Sequence, residues 1–286
     1  MKKWLVRILK WGGAALLLLV VGMILSTSAT FYSAPPERVA QLSSAPVAGK
    51  TVLVAGATSA SGLELVRVLK ERGWRVVAMV RASSTTAPLD ALGVEKMVVD
   101  AMNPQETAAA LAAGKFDAVV SLIGTSARDL PKRRNPVDVR IRGPEKMPMD
   151  RRPDFIGNRN LIDAAKAAGV TRFVFVTVIG AGESDGAVPW GARRGHEDVI
   201  VLKTQAEEHL RASGLDWTII RPGGLGRQPG GNTAVLVDDP KAFSFLARSD
   251  LGRLTADALG DASTVGKTYT AFDPQRRMIW KLFTAR

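Results

Sequence analysis

The chain alternates between short continuous apolar runs and segments whose apolar residues recur at helical spacing. Residues 51–55 (TVLVA) and 75–80 (RVVAMV) are apolar runs rich in β-branched side chains, which is typical of buried parallel strands. Between them, residues 63–72 carry apolar side chains at helical spacing and are followed by Gly73, a common residue at helix ends. These elements predict a strand–helix–strand unit.

The same alternation continues to the end of the chain. It predicts an α/β protein with a doubly wound parallel sheet, the Rossmann fold, in which helices cover both faces of the sheet. In this fold, ligands bind beyond the carboxyl ends of the strands, where the strand order reverses. Five further strands are expected near residues 96–99, 117–123, 172–178, 216–221 and 268–272.

An uncharged apolar segment at residues 11–31 precedes this domain. Its length is close to the ~20 residues that a helix needs to cross a bilayer. Basic residues come before it, and Trp4 and Trp11 lie where an interfacial aromatic belt would fall. We therefore predict a single N-terminal transmembrane helix that anchors the chain in a membrane. The alternative is a cleaved signal peptide, with residues 27–29 (TSA) as the cleavage site.

The pattern divides the chain into four parts. A basic flank covers residues 1–10, the predicted transmembrane helix covers 11–31, and the Rossmann domain covers 51–286. Residues 32–50 are rich in Pro, Ser and Ala and show no periodicity, which predicts a linker.

The distribution of charge narrows the choice of partners. The net charge of +12 is concentrated in residues 1–50 and in residues 128–152, a proline-rich segment with nine basic and four acidic residues. We expect residues 128–152 to form a loop that covers the ligand crevice, or that binds an acidic substrate, a protein partner or anionic lipid. A solvated loop is the alternative. Nucleic acid is not expected as a partner, because only Phe155 lies nearby for base stacking.

The residue types exclude several kinds of chemistry. The chain has no cysteine, which excludes disulfides, thiolate metal sites and cysteine nucleophiles. Its two histidines, His196 and His209, are too few for a His-rich metal centre, so no metal site is expected. We expect the neighbouring acids Glu207 and Glu208 to lie on a helix face.

The turn between the first strand and the first helix has the composition of a dinucleotide-binding loop. Small side chains let the backbone approach a pyrophosphate, and the start of the helix supplies free N–H groups and a positive dipole end. A tight turn that binds nothing is the alternative. The turn residues are Gly56, Ala57, Thr58, Ser59, Ala60, Ser61 and Gly62.

The end of the second strand indicates which dinucleotide is preferred. An Asp or Glu there would bind the ribose hydroxyls of NAD, but this chain has Arg81. A guanidinium pairs with a 2′-phosphate, so Arg81 favours NADP(H) over NAD(H). A solvated surface arginine is the alternative.

Over about residues 51–273 the chain resembles the atypical short-chain dehydrogenases/reductases of the NmrA-like, NAD(P)H-binding type. The resemblance rests on the order and spacing of several segments rather than on one motif. Besides the turn and the strand ending at Arg81, these are VVDAMNP at 98–104, FDAVVSLIG at 116–124, IGNRNLIDAAKAAGVTRFVFVT at 156–177, KTQAEEHLRASGLDWTIIRPGGL at 203–225, RSDLGRLTADAL at 248–259 and GKTYTAFD at 266–273.

The resemblance implies a role for each matching position. The turn would wrap the pyrophosphate, Arg81 would hold the 2′-phosphate, and residues 221–224 would form a loop on the substrate side. Asp100 and Ala101 would lie beside the adenine. The ribose and nicotinamide would lie beside Leu122, Ile123 and Gly124.

The chain departs from the family pattern at the catalytic tyrosine–lysine pair. Short-chain dehydrogenases use a Tyr that donates a proton and a Lys four residues later, which lowers the pKa of the Tyr and binds the nicotinamide ribose of the cofactor. Here Lys203 matches the lysine, but Val199 stands at the tyrosine position. Thr177 is the candidate for the usual serine, and His196 is a candidate replacement proton donor because its unperturbed pKa is near neutral.

Two functions follow from these patterns. The first is a membrane-anchored NADP(H)-binding oxidoreductase that lacks the usual tyrosine, and the second is a non-catalytic NADP(H) sensor or scaffold of a membrane complex. The sequence does not decide on which side of the membrane the Rossmann domain lies. The basic flank favours a domain outside the cytoplasm, whereas the need for a reduced dinucleotide favours a cytoplasmic one.

Overall fold

The computed structural model describes the Rossmann domain with gaps and little of the preceding chain. The described residues are 11–21, 40, 42, 49–125, 148–188, 193 and 196–276. The strands are β1 (Thr51–Ala55), β2 (Arg75–Val80), β3 (Glu95–Val98), β4 (Ala118–Ser121), β5 (Arg172–Val176), β6 (Asp216–Pro222), β7 (Gly224–Gly226), β8 (Val235–Val237), β9 (Phe245–Ala247) and β10 (Lys267–Phe272). The helices are α1 (Ala60–Glu71), α2 (Ala87–Asp90), α3 (Pro104–Ala113), α4 (Ile156–Ala167), α5 (Glu197–Arg211) and α6 (Arg248–Gly260).

Eight of these strands form one sheet, in the order β3-β2-β1-β4-β5-β6-β10-β8. Neighbouring strands are parallel, except that β8 runs antiparallel to β10. The order reverses between β1 and β4, so the crevice expected for a ligand lies at their carboxyl ends. The parallel α/β fold is therefore confirmed. A separate two-stranded pairing of β7 with β9 was not predicted.

Side chains of the sheet alternate between two apolar layers. Val52 and Val54 of β1 pack in the cluster that includes α1 and α6, whereas Leu53 and Ala55 pack in the cluster that includes α3, α4 and α5. On the first face α6 approaches α1 very closely, since a Cβ at Gly252 would lie 2.8 Å from a backbone nitrogen of α1. Both faces are thus buried, which explains the continuous apolar runs in the sequence.

The predicted membrane segment is only partly described. Residues 11–21 are helical, and their large apolar side chains are exposed, with Trp11 at 76%. Within the described ranges, no helix is long and apolar enough to cross a membrane. Residues 22–31 lie outside the described residues, so the transmembrane helix over 11–31 stays a prediction.

Two residues of the predicted linker lie against the sheet. The backbone N–H of Ala40 donates to the carbonyl of Leu236 in β8, at 2.9 Å. Ala40 and Leu42 also pack against the apolar cluster under α1 and α6. The edge strand β8 offers backbone groups that a passing chain can bind, which Pro, Ser and Ala composition does not reveal.

Two positions near the end of β6 correct the sequence analysis. Arg221 and Pro222, which the resemblance places in a loop on the substrate side, belong to β6, as the apolar pattern predicted for Arg221 alone, and Arg221 is fully buried. The strand continues because β10 pairs with it through Pro222. The loop expected over residues 128–152 lies mostly outside the described residues, so its partners stay predictions.

Candidate functional site

The turn between β1 and α1 is packed backbone against backbone. Gly56 has φ +84°, and a Cβ there would lie 2.8 Å from the carbonyl oxygen of Leu122 at the end of β4. A Cβ at Gly62 would lie 2.3 Å from the carbonyl oxygen of Gly56. Both positions therefore require glycine. The close packing brings the start of α1 next to the end of β4, with Thr58 to Ser61 at least partly exposed between them.

Ser59 is the turn residue that caps helix α1. Its Oγ accepts a hydrogen bond from the N–H of Gly62 at 2.9 Å, so Ser59 is the N-cap of α1. A hydroxyl that accepts one hydrogen bond can still donate its own proton. The hydrogen bond thus stabilises the start of α1. The hydroxyl of Ser59 can still donate to an anion, which is compatible with a pyrophosphate at this turn.

Arg81 follows directly after β2 and is exposed. Its backbone forms a tight turn with Ser84, whose N–H donates to the Arg81 carbonyl at 2.9 Å and whose Oγ accepts from the Arg81 N–H at 3.1 Å. The turn lies at the carboxyl end of β2, next to β1, so Arg81 is at the carboxyl edge of the sheet. This is where a group that binds the adenosine end of a dinucleotide is expected.

Asp100 and Ala101 follow β3 at the same edge. Asp100 Oδ1 accepts from the N–H of Met102 at 3.0 Å, and its own N–H donates to Glu106 Oε2 at 3.1 Å. The Ala101 carbonyl accepts from Asn160 Nδ2 at 2.9 Å. These contacts hold the segment after β3 between α3 and α4, where the resemblance implies that the adenine would lie.

Leu122, Ile123 and Gly124 continue β4 past its end. The N–H of Leu122 still bonds the carbonyl of Ala55 in β1, at 2.8 Å. The carbonyl of Ile123 accepts from Lys203 Nζ and from Asn158 Nδ2, the latter at 3.3 Å. The end of β4 is therefore held by β1 on one side and by buried polar side chains on the other.

Lys203 lies on α5 and is 4% exposed. Its Nζ donates to the Ile123 carbonyl and lies 4.8 Å from the centre of the Phe175 ring. Burial lowers the pKa of Lys203 to about 8, and the charges of Asp154 and Glu207 oppose that shift. The expected lysine thus reaches the end of β4, beside the segment predicted to meet the nicotinamide half.

The tyrosine position of the family pattern and His196 both lie at the start of α5, and the tyrosines of the chain lie elsewhere in the sequence. Val199 is on the first turns of α5, half-buried, and has no proton to transfer. His196 is exposed at the N-cap of α5, with no side-chain capping bond. Tyr269 is buried in β10, and Tyr32 lies outside the described residues.

A second set of buried ionisable groups lies beside Lys203 and was missed by the sequence analysis. Asp154 is 1% exposed, and its Oδ2 accepts from the backbone N–H of Thr125 at 3.1 Å and from the Thr125 hydroxyl. Arg152 Nη1 lies 3.3 Å from Asp198 Oδ2 on α5. Arg152 is the last residue of the loop predicted over 128–152, and Asp154 follows two residues later. No periodicity there indicates burial.

Glu207 was expected on a helix face, but it is buried and paired with Arg221. It is fully buried, and its Oε1 accepts from Arg221 Nε at 3.0 Å and from the Thr177 hydroxyl at 2.7 Å. Arg221 Nη2 also bonds Glu183 Oε2 at 2.6 Å. A carboxylate in the middle of a helix looks the same in the sequence whether it faces solvent or a buried arginine. The next residue, Glu208, is exposed on the helix surface, as expected.

Comparison with known proteins identifies the family. A family model described as NAD(P)H-binding matches residues 56–262, most of the chain. The chain belongs to this NAD(P)H-binding family. It therefore carries an NAD(P)H-binding domain, and the site described above lies within the matched residues.

Individual relatives include reductases. Sanguinarine reductase of Eschscholzia californica is 29% identical over 234 residues, which are 73% of this chain and 84% of that protein. ChuY, an anaerobillin reductase from Escherichia coli O157:H7, has a TM-score of 0.65 at 24% identity and covers 80% of this chain and 100% of its own. A short-chain dehydrogenase/reductase from Veillonella parvula in complex with NADP has a TM-score of 0.60 at 16% identity, covering 80% and 97%. The two structures establish similarity of fold alone.

Proposed function

We propose that this NAD(P)H-binding protein is an NADP(H)-dependent oxidoreductase. The observation that carries the proposal is the buried ammonium of Lys203, bonded to the Ile123 carbonyl where β4 ends in the crevice. Burying a charge is costly, so a lysine there needs partners or a function. The relation to sanguinarine reductase supports reduction as the reaction class.

Each part of the crevice has a proposed role in holding the dinucleotide. The turn residues 56–62 would bind the pyrophosphate through backbone N–H groups and the Ser59 hydroxyl. Arg81 would bind the 2′-phosphate, which favours NADP(H) over NAD(H). Asp100 and Ala101 would lie beside the adenine. The ribose and nicotinamide would lie against Leu122, Ile123 and Gly124.

Lys203 is the proposed catalytic residue. When bound, NADPH supplies the hydride, so the protein has to orient the substrate and manage one proton. Val199 cannot carry that proton, whereas Lys203, with a pKa of about 8, is protonated at neutral pH and can release its proton more readily than an exposed lysine. His196 is exposed at the start of α5 and is the second candidate for proton delivery.

The cofactor preference can be tested by titrating the full-length chain with NADPH and with NADH. Charge-assisted hydrogen bonds to a phosphate contribute about 1.5–3 kcal/mol. Arg81→Ala is therefore expected to weaken NADPH binding about 10-fold to 150-fold and to leave NADH binding unchanged.

Arg75→Ala is the matched control for this experiment. Arg75 is at the opposite end of β2, exposed and paired with Glu95 at 2.7 Å, so its loss should change neither affinity. Equal weakening of NADPH and NADH by Arg81→Ala would refute the preference. Failure of the wild-type chain to bind either nucleotide would refute the function.

A non-catalytic sensor or scaffold is the second candidate. Val199 at the tyrosine position favours it, and so does the hydrogen bond of Lys203 to a backbone carbonyl of its own chain. Wild-type protein that binds NADPH but oxidises it with none of a panel of quinones, iminium compounds and aldehydes would support this candidate. NADPH oxidation that disappears in Lys203→Met, with binding retained, would support the enzyme.

Membrane anchoring through residues 11–31 remains a further proposal. The exposed apolar side chains of residues 11–21 favour it, because burying them in a bilayer gains free energy. Flotation of the full-length chain with liposomes, compared with a variant carrying Leu17→Asp and Leu18→Asp, tests it. Equal flotation of the two proteins would contradict the anchor.

A further inference from the structure

Asp154 and Lys203 both lie on the side of Gly124 where a side chain would be. A Cβ added to Gly124 would lie 3.2 Å from Asp154 Oδ1 and 3.8 Å from Lys203 Nζ. The carboxylate and the ammonium are therefore both in contact distance of the same point at the end of β4. Both side chains are almost fully buried, so water screens their attraction only weakly.

The carboxylate of Asp154 is held in one orientation by its neighbours. Its Oδ2 accepts two hydrogen bonds from Thr125, through the backbone N–H and the hydroxyl. Arg152 Nε donates to the Thr125 hydroxyl oxygen at 3.2 Å and lies 3.8 Å from Asp154 Oδ2. With Oδ2 occupied in this way, Oδ1 is the oxygen on the side of Gly124.

Few other charges act on Lys203 from the described elements around it. From α5 itself, Glu207 adds a second negative charge, but that carboxylate is paired with the buried Arg221. From β4 and β5 the neighbours are the Ile123 carbonyl and the Phe175 ring, which do not titrate. Arg152 is the nearby cation, and it acts on Lys203 by partly neutralising Asp154 while pairing with Asp198.

We propose that Asp154 is a positioning residue for Lys203, which holds the ammonium in its charged form at the end of β4, and that Arg152 limits this effect by pairing with the same carboxylate. The proposal deepens the oxidoreductase function proposed above. A carboxylate and a lysine would then control the proton in the crevice, which in short-chain dehydrogenases is the task of the tyrosine and the lysine. The Arg152–Asp198 pair links this group to the surface at the start of α5.

The sign of a pKa change separates this role from a structural one. Asp154→Asn removes the negative charge but keeps an acceptor for Thr125, so the pKa of Lys203 should fall by about one pH unit. If Asp154 were only structural, its loss would loosen the site, let water reach Lys203 and raise that pKa towards its ordinary value. A rise or no change in Asp154→Asn overturns the proposal.

Arg152→Gln gives an independent prediction of opposite sign. Without the guanidinium, the full charge of Asp154 acts on Lys203, so the pKa of Lys203 should rise above the wild-type value. If Asp154→Asn does not fold, this variant decides, and a fall or no change in the pKa overturns the proposal. The control is Asp163→Asn on α4, where the carboxylate pairs with His209 at the surface and no change is expected.

The measurement is an NMR titration of the full-length chain labelled with ¹³C at lysine Cε. The Lys203 signal is assigned by its loss in Lys203→Arg, and a thermal unfolding curve checks each variant for folding. The titration needs neither cofactor nor substrate. A chain that shows the two opposite shifts but binds no NADPH would refute the oxidoreductase function alone, and the converse result would refute only the role of Asp154.

Discussion

The two sides of the crevice are built in different ways. The cofactor side, defined as the turn 56–62 with Arg81, uses backbone groups and partly exposed side chains from one continuous stretch. The charged side, defined as Lys203, Asp154, Glu207 and Arg221, uses buried ionisable side chains from segments far apart in the chain. For example, Lys203 and the Ile123 carbonyl that it bonds are 80 residues apart.

This difference determines which substitutions each side can accept without loss of stability or binding. On the cofactor side the main constraint is steric, because two glycines touch backbone atoms directly. On the charged side the main constraint is electrostatic, because each buried charge depends on a partner that another element supplies. Substitutions on the two sides should therefore have different consequences.

Loss of Glu207 should have the largest effect on stability. Glu207→Ala leaves Arg221 buried without its main partner, which should lower the free energy of unfolding by about 3–5 kcal/mol. Urea denaturation measures this difference. The matched control is Glu208→Ala, one residue along α5 and exposed, which should change stability by less than about 0.5 kcal/mol. Similar losses in both variants would contradict an electrostatic constraint on this side.

A methyl group in the turn should disturb packing and binding together. Gly62→Ala places a Cβ 2.3 Å from the Gly56 carbonyl oxygen, and relief of that overlap should cost about 1–3 kcal/mol. Distortion of the turn should also weaken NADPH binding at least 10-fold. In the control Gly226→Ala, the new Cβ meets no atom closer than 3.8 Å, so both quantities should stay near the wild-type values. Unchanged NADPH affinity in Gly62→Ala would exclude the turn from the binding site.

The stability of the chain should depend on pH through Lys203. Its folded pKa of about 8 is below its ordinary value of 10.5, so between these values the unfolded chain holds a proton that the folded chain has released. The free energy of unfolding should therefore rise with pH in this window, by about 1.4 kcal/mol per pH unit relative to Lys203→Met. Other lysines cancel in this comparison. If the free energies of unfolding of wild type and Lys203→Met differed by a constant amount from pH 8 to 10.5, burial would not lower the pKa of Lys203 in the folded chain.

Removal of the helix cap should have the smallest effect. Ser59→Ala deletes the acceptor for the Gly62 N–H and should lower the free energy of unfolding by about 1 kcal/mol, as measured by thermal or urea denaturation. Ser59→Gly should lower it by only a few tenths of a kcal/mol, because glycine is a tolerated N-cap. If the two variants were equally destabilised, the cap would not explain the serine at this position.

Prediction from the sequence worked best where the relevant contacts are local. Buried parallel strands are continuous apolar runs, so β1 to β6 and β10 were expected close to where they lie. The three-residue strands β7, β8 and β9 were not expected. The turn 56–62 was recognised because its strand and its helix are adjacent in the chain. The strand expected near residues 216–221 includes Arg221, but the family resemblance implied a loop from Arg221 onward, whereas pairing with β10 extends β6 through Pro222.

The sequence by itself determined the α/β fold, the position of the turn proposed to bind the cofactor, the arginine after β2 and the valine at the family's tyrosine position. Only the tertiary structure decided that Lys203 reaches the end of β4, and that Asp154, Glu207 and Arg221 are buried beside or near it. The physical reason is that apolar periodicity reports which face of an element is buried on average. Whether one charged residue on that element meets solvent or an opposite charge depends on what the rest of the fold brings to it.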